Sequence, residues 1–210
     1  MSENEITPAS GPGRGKHDKE GRQRALVDWA TIVFAERGYD AATTRDIADR
    51  AGSSEGLIHR YFGGKQGLLA AVLQRRGQLR NADLAGDLPT CDTVEEELIG
   101  FLDWELERTW RDRDSMRVSV SRSIIDPALG QVAGGVFHAA RAEFLRERLE
   151  WHRSQGRVTK DADLRAVCGM ISGLAFNAGF FAQVAFQMDR ETVHLGAQAI
   201  AKVLARGLAA

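Results

Sequence analysis

The sequence is poor in cysteine, and neither cysteine is placed for covalent or metal chemistry. Cys91 and Cys168 make no CxxC pair, which argues against a disulfide framework or a zinc knuckle and points to a reduced, cytoplasmic setting. No stretch has the basic, apolar and small-residue order of a secretory signal. The histidines His17, His59, His138, His152 and His194 show no HxxxH or HExxH spacing, so a metal site has no support. A phosphate-binding GxxxxGK loop and a dinucleotide fingerprint are both missing, and no cofactor is expected. Apolar and polar residues nowhere alternate long enough to suggest a strand. Charge of one sign is missing too: 28 Lys and Arg stand against 29 Asp and Glu. Gly52-Ser53-Ser54-Glu55-Gly56 fits the G-x-S-x-G spelling of a hydrolase elbow. That motif needs a strand before it and a sheet beneath it, and neither is expected, so the chain is not read as an enzyme.

The sequence has instead 210 residues, 43 % hydrophobic and 27 % charged, the balance of a globular protein with ample core. The basic residues lean to the front: residues 1–80 hold 13 Lys and Arg against 10 Asp and Glu. Residues 1–19 carry Gly, Pro, Ser and charge, and are expected to form a flexible tail. Helical periodicity dominates the rest. Leu26, Trp29, Ala30, Val33 and Phe34 mark one face of a first helix, over about 22–37, and Gly38 supplies a left-handed stop. Thr43 caps a short helix over 44–51. Gly52 ends it, Ser53 and Ser54 can cap a third helix over 55–62, and Gly63-Gly64 breaks that one. Lys65 opens a fourth helix, expected to run to about residue 80. Residues 81–93 read as a connection. Further helices are expected near 94–112, 116–125, 131–154, 162–188 and 191–207. The fold class is all-α, with an N-terminal helix-turn-helix domain over 20–80 and a helical domain over 81–210.

The pair 44–51 and 55–62, joined by a tight glycine turn, has the helix-turn-helix arrangement. Ile47, Ala48 and Ile58 would pack the two helices together. The second would then project with polar outer positions, narrow enough for a major groove of about 12 Å. The helix N-termini at Thr44 and Ser54 would offer backbone N–H groups to phosphates, and Lys65 is placed for a further phosphate contact.

Phe34, Gly38-Tyr39, Thr43-Thr44, Ile47-Ala48, Ala51-Gly52, Ser54-x-Gly56, Ile58, Tyr61-Phe62, Lys65 and Leu68 together resemble the DNA-binding domain of the TetR family over about fifty contiguous residues. The resemblance implies phosphate contacts by Thr44, Tyr61 and Lys65. It also implies that Arg45, Glu55, Leu57, His59 and Arg60 face bases or the groove wall. Ser53, His59 and Gly63-Gly64 depart from the usual pattern, and Glu55 brings a negative charge to the groove, where a cytosine amino group could meet it. The family pairs this domain with a variable helical domain for dimerisation and ligand binding.

The C-terminal part fits that role. Residues 166–188 hold no charge and could span a bilayer, but a helix buried on all sides has the same composition, and no membrane partner is expected. Gly169, Ser172, Gly173 and Ala178 permit close helix approach, and Val193, Gly196, Ala197, Ile200, Val203 and Leu204 line the last helix. Two such helices from each of two chains would make a four-helix dimer interface; otherwise they complete the monomer core. Phe101, Trp104, Trp110, Met116, Phe137, Phe144 and Trp151 are candidates to line a pocket for an apolar or aromatic effector, a plain core being the alternative. The expected function is a homodimeric regulator, most simply a repressor, that leaves a double-stranded operator when the small molecule binds. The rival is a small helical enzyme or a ligand-scavenging protein.

Overall fold

The computed structural model describes residues 14–210, with side chains from residue 19 onward. Among them are ten α-helices: α1 (Arg14–Ala41), α2 (Thr44–Arg50), α3 (Glu55–Phe62), α4 (Lys65–Asp87), α5 (Val94–Arg111), α6 (Arg113–Ile125), α7 (Pro127–Ala133), α8 (Ala140–Ser154), α9 (Leu164–Phe176) and α10 (Arg190–Leu208). Two π-helical segments, Gly134–Ala139 and Asn177–Ala185, prolong α7 and α9. The described residues form no strand; one isolated antiparallel bridge joins Val158 and Ala209. The class is all-α, as the periodicity indicates. The tail expected over residues 1–19 lies outside the described residues as far as residue 13, and α1 is already helical from Arg14. The chain divides into two compact units, one up to Val72 and one over Leu73–Ala210.

The first unit holds α1, α2, α3 and the start of α4. Leu26, Ala30, Val33 and Phe34 of α1, Ile47 and Ala48 of α2, Ile58 of α3 and Leu68 and Leu69 of α4 are all buried. Gly38 has φ 74°, and the α1 geometry breaks there, at the expected stop. Ion pairs Arg37–Asp46 and Arg50–Glu36, both 2.7 Å, bind α2 to α1.

The second unit is organised around α5, against which α8, α9, α10 and the 177–185 segment pack. Leu98, Phe101, Leu102 and Leu106 fill the core from α5, Leu145 and Leu149 from α8, and Cys168 and Ile171 from α9. Local chemistry sets the helix starts. Thr93 and Glu96 form a reciprocal capping box on α5, and Asp126, Asp163 and Asp189 accept first-turn N–H groups of α7, α9 and α10.

Two local expectations need correction. Residues 81–87 were expected in a connection, yet α4 continues through them. Its buried stripe runs Leu73, Gly77, Arg80, Leu84, and a charged residue at a core position hides that period. Residues 131–154 and 162–188 were expected as single α-helices, and each contains π-helical turns. At Gly179 the chain lies so near α5 that a Cβ would sit 3.1 Å from Thr109. At Gly134-Gly135 no neighbour requires glycine, and two interior glycines weaken a helix by about 1 kcal/mol each.

Polar groups are buried in two places. Glu105 bonds Arg80 (2.9 Å) on one side and meets Arg141 Nε (2.5 Å) on the other, all three almost fully buried. Glu97 accepts from Arg148 Nε (2.8 Å) and the Cys91 backbone N–H (3.3 Å), with His152 Nε2 3.5 Å away. Arg148 also donates to the Pro89 carbonyl, so the connection between α4 and α5 is held to α5 and α8.

Candidate nucleic-acid interface and cavity

α3 begins after Ser54, whose backbone is extended, and ends at Gly63, whose left-handed φ of 74° lets its N–H return to the His59 carbonyl at 2.9 Å. Gly52, also left-handed at φ 60°, makes the turn from α2. Ile58 is wholly buried, and burying such a side chain stabilises by roughly 1.5–3 kcal/mol. The polar positions of α3 therefore face outward: Glu55, His59 and Arg60 are exposed, while Leu57 and Tyr61 are half-buried.

At the start of α2, Thr43 Oγ1 accepts from the Asp46 N–H at 3.0 Å. The Thr43 hydroxyl donates to the Asp46 carboxyl and, with Arg37 nearby, holds it below the usual carboxylate range. Arg45 is exposed. The Thr44 hydroxyl donates to the Glu55 carboxylate, tying the first turns of α2 and α3 together. Ser54 occupies the cap position but its side chain caps nothing, and the Ser53 hydroxyl is buried without a partner, so neither serine caps α3 as the sequence suggested. Lys65 Nζ donates to the Asp40 carbonyl at 3.2 Å and lies 4.5 Å from the Tyr39 ring centroid. Lys19 stands 5.7 Å over the Tyr61 ring. Thr44, Arg45, Ser54, Glu55, His59, Arg60, Tyr61 and Lys65 thus all lie on α2, α3, the cap position or the start of α4. The described residues hold no His, Cys, Asp and Glu cluster fit for a metal.

The second unit contains a cavity of about 350 Å³, at the lower end of the range for small-molecule sites. α6 supplies Met116, Ser119, Val120, Ser123 and Ile124. α7 and its π-helical extension supply Gly130, Ala133, Gly134, Phe137 and His138. Gly173, Phe176 and Phe181 close it from α9 and beyond. Phe176 stacks on Phe180 with ring centroids 5.7 Å apart, and Phe181 meets both edge-on.

Of the seven side chains expected at a pocket, Met116 and Phe137 line this cavity. Trp110 packs behind it, against Met116, Phe180 and Val184. Phe101 and Trp104 belong to the main core, with Phe144 packed on it, and Trp151 is exposed on α8. The difference is one of position on a helix: Phe101 and Trp104 lie on the buried face of α5, the helix at the centre of the main core. Sequence reasoning missed Phe176, Phe181 and the small residues of α6 and α7. The usable signal was the crowd of phenylalanines at 176–186, which it assigned to an interface.

The comparisons with known proteins agree with the fold. Residues 26–72 match the family model of bacterial regulatory proteins, tetR family. The HTH-type transcriptional repressor KstR2 of Rhodococcus jostii is 40 % identical over 63 residues, 30 % of this chain and 31 % of that protein. The HTH-type transcriptional repressor AcnR of Corynebacterium jeikeium is 29 % identical over 148 residues, 70 % of this chain and 73 % of that protein. Among solved structures, the transcriptional regulator FadR of Bacillus subtilis in complex with stearoyl-CoA superposes with a TM-score of 0.65 at 18 % identity, covering 88 % of this chain and 98 % of that one. The chain spans about a third of the length of the first curated relatives it matches.

Proposed function

We propose that the chain, whose residues 26–72 match the model of tetR-family regulatory proteins, is a ligand-responsive transcriptional regulator, a repressor that leaves its operator when a small apolar or aromatic molecule binds. The observation that carries the reading is the outer face of α3. Glu55, His59 and Arg60 stand exposed on a short helix whose opposite side is anchored by the fully buried Ile58. A helix so held can enter a major groove with its side chains on base edges. Thr44, Tyr61, Lys65 and the N-terminal turns of α2 and α3 meet the flanking phosphates, and Arg45 faces the groove.

One recognition helix reads too few base pairs to be selective, and a symmetric pair reads two half-sites. The surface of α9 and α10 suits a second copy. Met170 is exposed on α9, and Leu195, Ile200 and Val203 are exposed on α10; exposed apolar side chains of this kind suit an association site. The apolar cavity supports an effector site, and the solved relative with stearoyl-CoA supports the same reading.

The test is a gel shift of the intact protein on the DNA flanking its own gene. Binding should weaken as salt rises. Arg60→Ala should lower affinity by roughly tenfold and relax base selectivity. Lys65→Ala should weaken all sequences alike and flatten the salt dependence by about one ion. Binding indifferent to both substitutions would remove α3 as the reader.

A further inference from the structure

The wall of the cavity adjoins an unbalanced buried charge. Arg80, Glu105 and Arg141 are 3–4 % exposed: two guanidiniums share one carboxylate. The ion pairs around them balance among themselves. Arg76 meets Asp112 at 3.1 Å, and Arg108 meets Asp83 at 2.6 Å and Asp112 at 3.3 Å. The excess positive charge therefore stays with the inner group. Arg80 Nη2 bonds Glu105 (2.9 Å) and Thr109 (2.8 Å), while its Nε has no partner. Arg141 uses Nε on Glu105 and Nη1 on the Phe137 carbonyl, and its Nη2 has no partner. An unmatched buried donor on a charged group is costly. Burial also lowers the Arg141 pKa to about 10.

Phe137 connects this group to the cavity. It lines the cavity, and the Arg141 guanidinium lies 5.5 Å from its ring centroid. Phe137 sits in the π-helical segment that begins Gly134-Gly135, where a Cβ at either glycine would meet open space. π-helical turns of this kind recur at functional sites.

We propose that the cavity takes an amphipathic organic acid, with its apolar body among Met116, Phe137 and Phe176 and its carboxylate on Arg141 Nη2. The Phe137 ring swings aside to admit the head group. The acid then supplies the second negative charge that the Arg80–Glu105–Arg141 group lacks. This rests on the cavity being the effector site.

The test uses the intact chain and two probes of one length, decanoic acid and decan-1-ol, titrated by calorimetry at neutral pH below their aggregation limits. The acid should bind the wild type roughly tenfold more tightly than the alcohol. Arg141→Met leaves Arg80 and Glu105 as a balanced pair, so the fold should survive. It should bring the two probes to equal affinity while leaving the alcohol nearly unchanged. Equal binding of both probes to the wild type, or an acid preference that persists in Arg141→Met, overturns the carboxylate site and leaves the cavity as a ligand site. Binding of neither probe overturns the effector cavity and this inference with it. The wild-type comparison decides the matter even where the variant does not fold.

Discussion

Asp46 shows how one side chain can tie stability to acidity. The Thr43 hydroxyl first, and Arg37 after it, hold its carboxyl below the ordinary value of 3.8 in the folded chain. The unfolded chain, lacking both partners, binds that proton more readily. The contribution is therefore complete above the ordinary value and is lost as pH falls through the lowered one. Asp46→Asn should lower the urea midpoint at neutral pH, and its deficit against the wild type should shrink over roughly pH 5 to pH 3. A deficit that stays constant through that range would mean that charge at Asp46 does not matter. The two thiols show the same dependence on surroundings: burial raises Cys168 to about 12 and also raises Cys91, where Glu97 adds to it. Nothing in the spelling around either cysteine announces this, because the cause is the tertiary surroundings.

At the scale of elements, legibility followed how local the determinant was. α3 was readable to the residue, since Ser54 and Gly63 mark its ends and Ile58 its inner side. The far end of α4 was not, because its inward stripe passes through Arg80, made tolerable there by partners on α5, Glu105 and Thr109, more than twenty residues away. The π-helical turns were invisible to a reading based on apolar spacing, as they answer to contacts such as Gly179 on Thr109. The aromatic count grouped Met116 and Phe137 with Phe101 and Trp104 and could not separate them, since core and cavity draw on the same residue types. Helix contacts also give a sharp test. A Cβ at Gly77 would lie 1.6 Å from Val136 Cγ1, so Gly77→Ala must push α4 from the 134–139 segment. Overpacking of that kind costs about 1–3 kcal/mol, visible as a lowered Tm. Gly86→Ala, in the same helix with open space around it, should leave Tm unchanged or raise it slightly.

For the whole molecule, the decisive quantity is the number of chains that act together. Leu195 and Val203 are each 60 % exposed, and a charge at either should be harmless to a monomer. On the proposed dimer, Leu195→Asp with Val203→Asp should then leave helicity intact, halve the mass in light scattering, and remove most of the DNA affinity, because two half-sites are no longer engaged by one particle. A doubly substituted protein that keeps its mass and its DNA binding would place the contact elsewhere.

Glu97 has a further consequence for this cysteine-poor chain. By gripping Arg148 and the Cys91 amide, with Arg148 reaching back to Pro89, it cross-links segments about fifty residues apart. The clasp assembles without an oxidant and no thiol reagent can open it, so the second unit gains a staple that needs no sulfur.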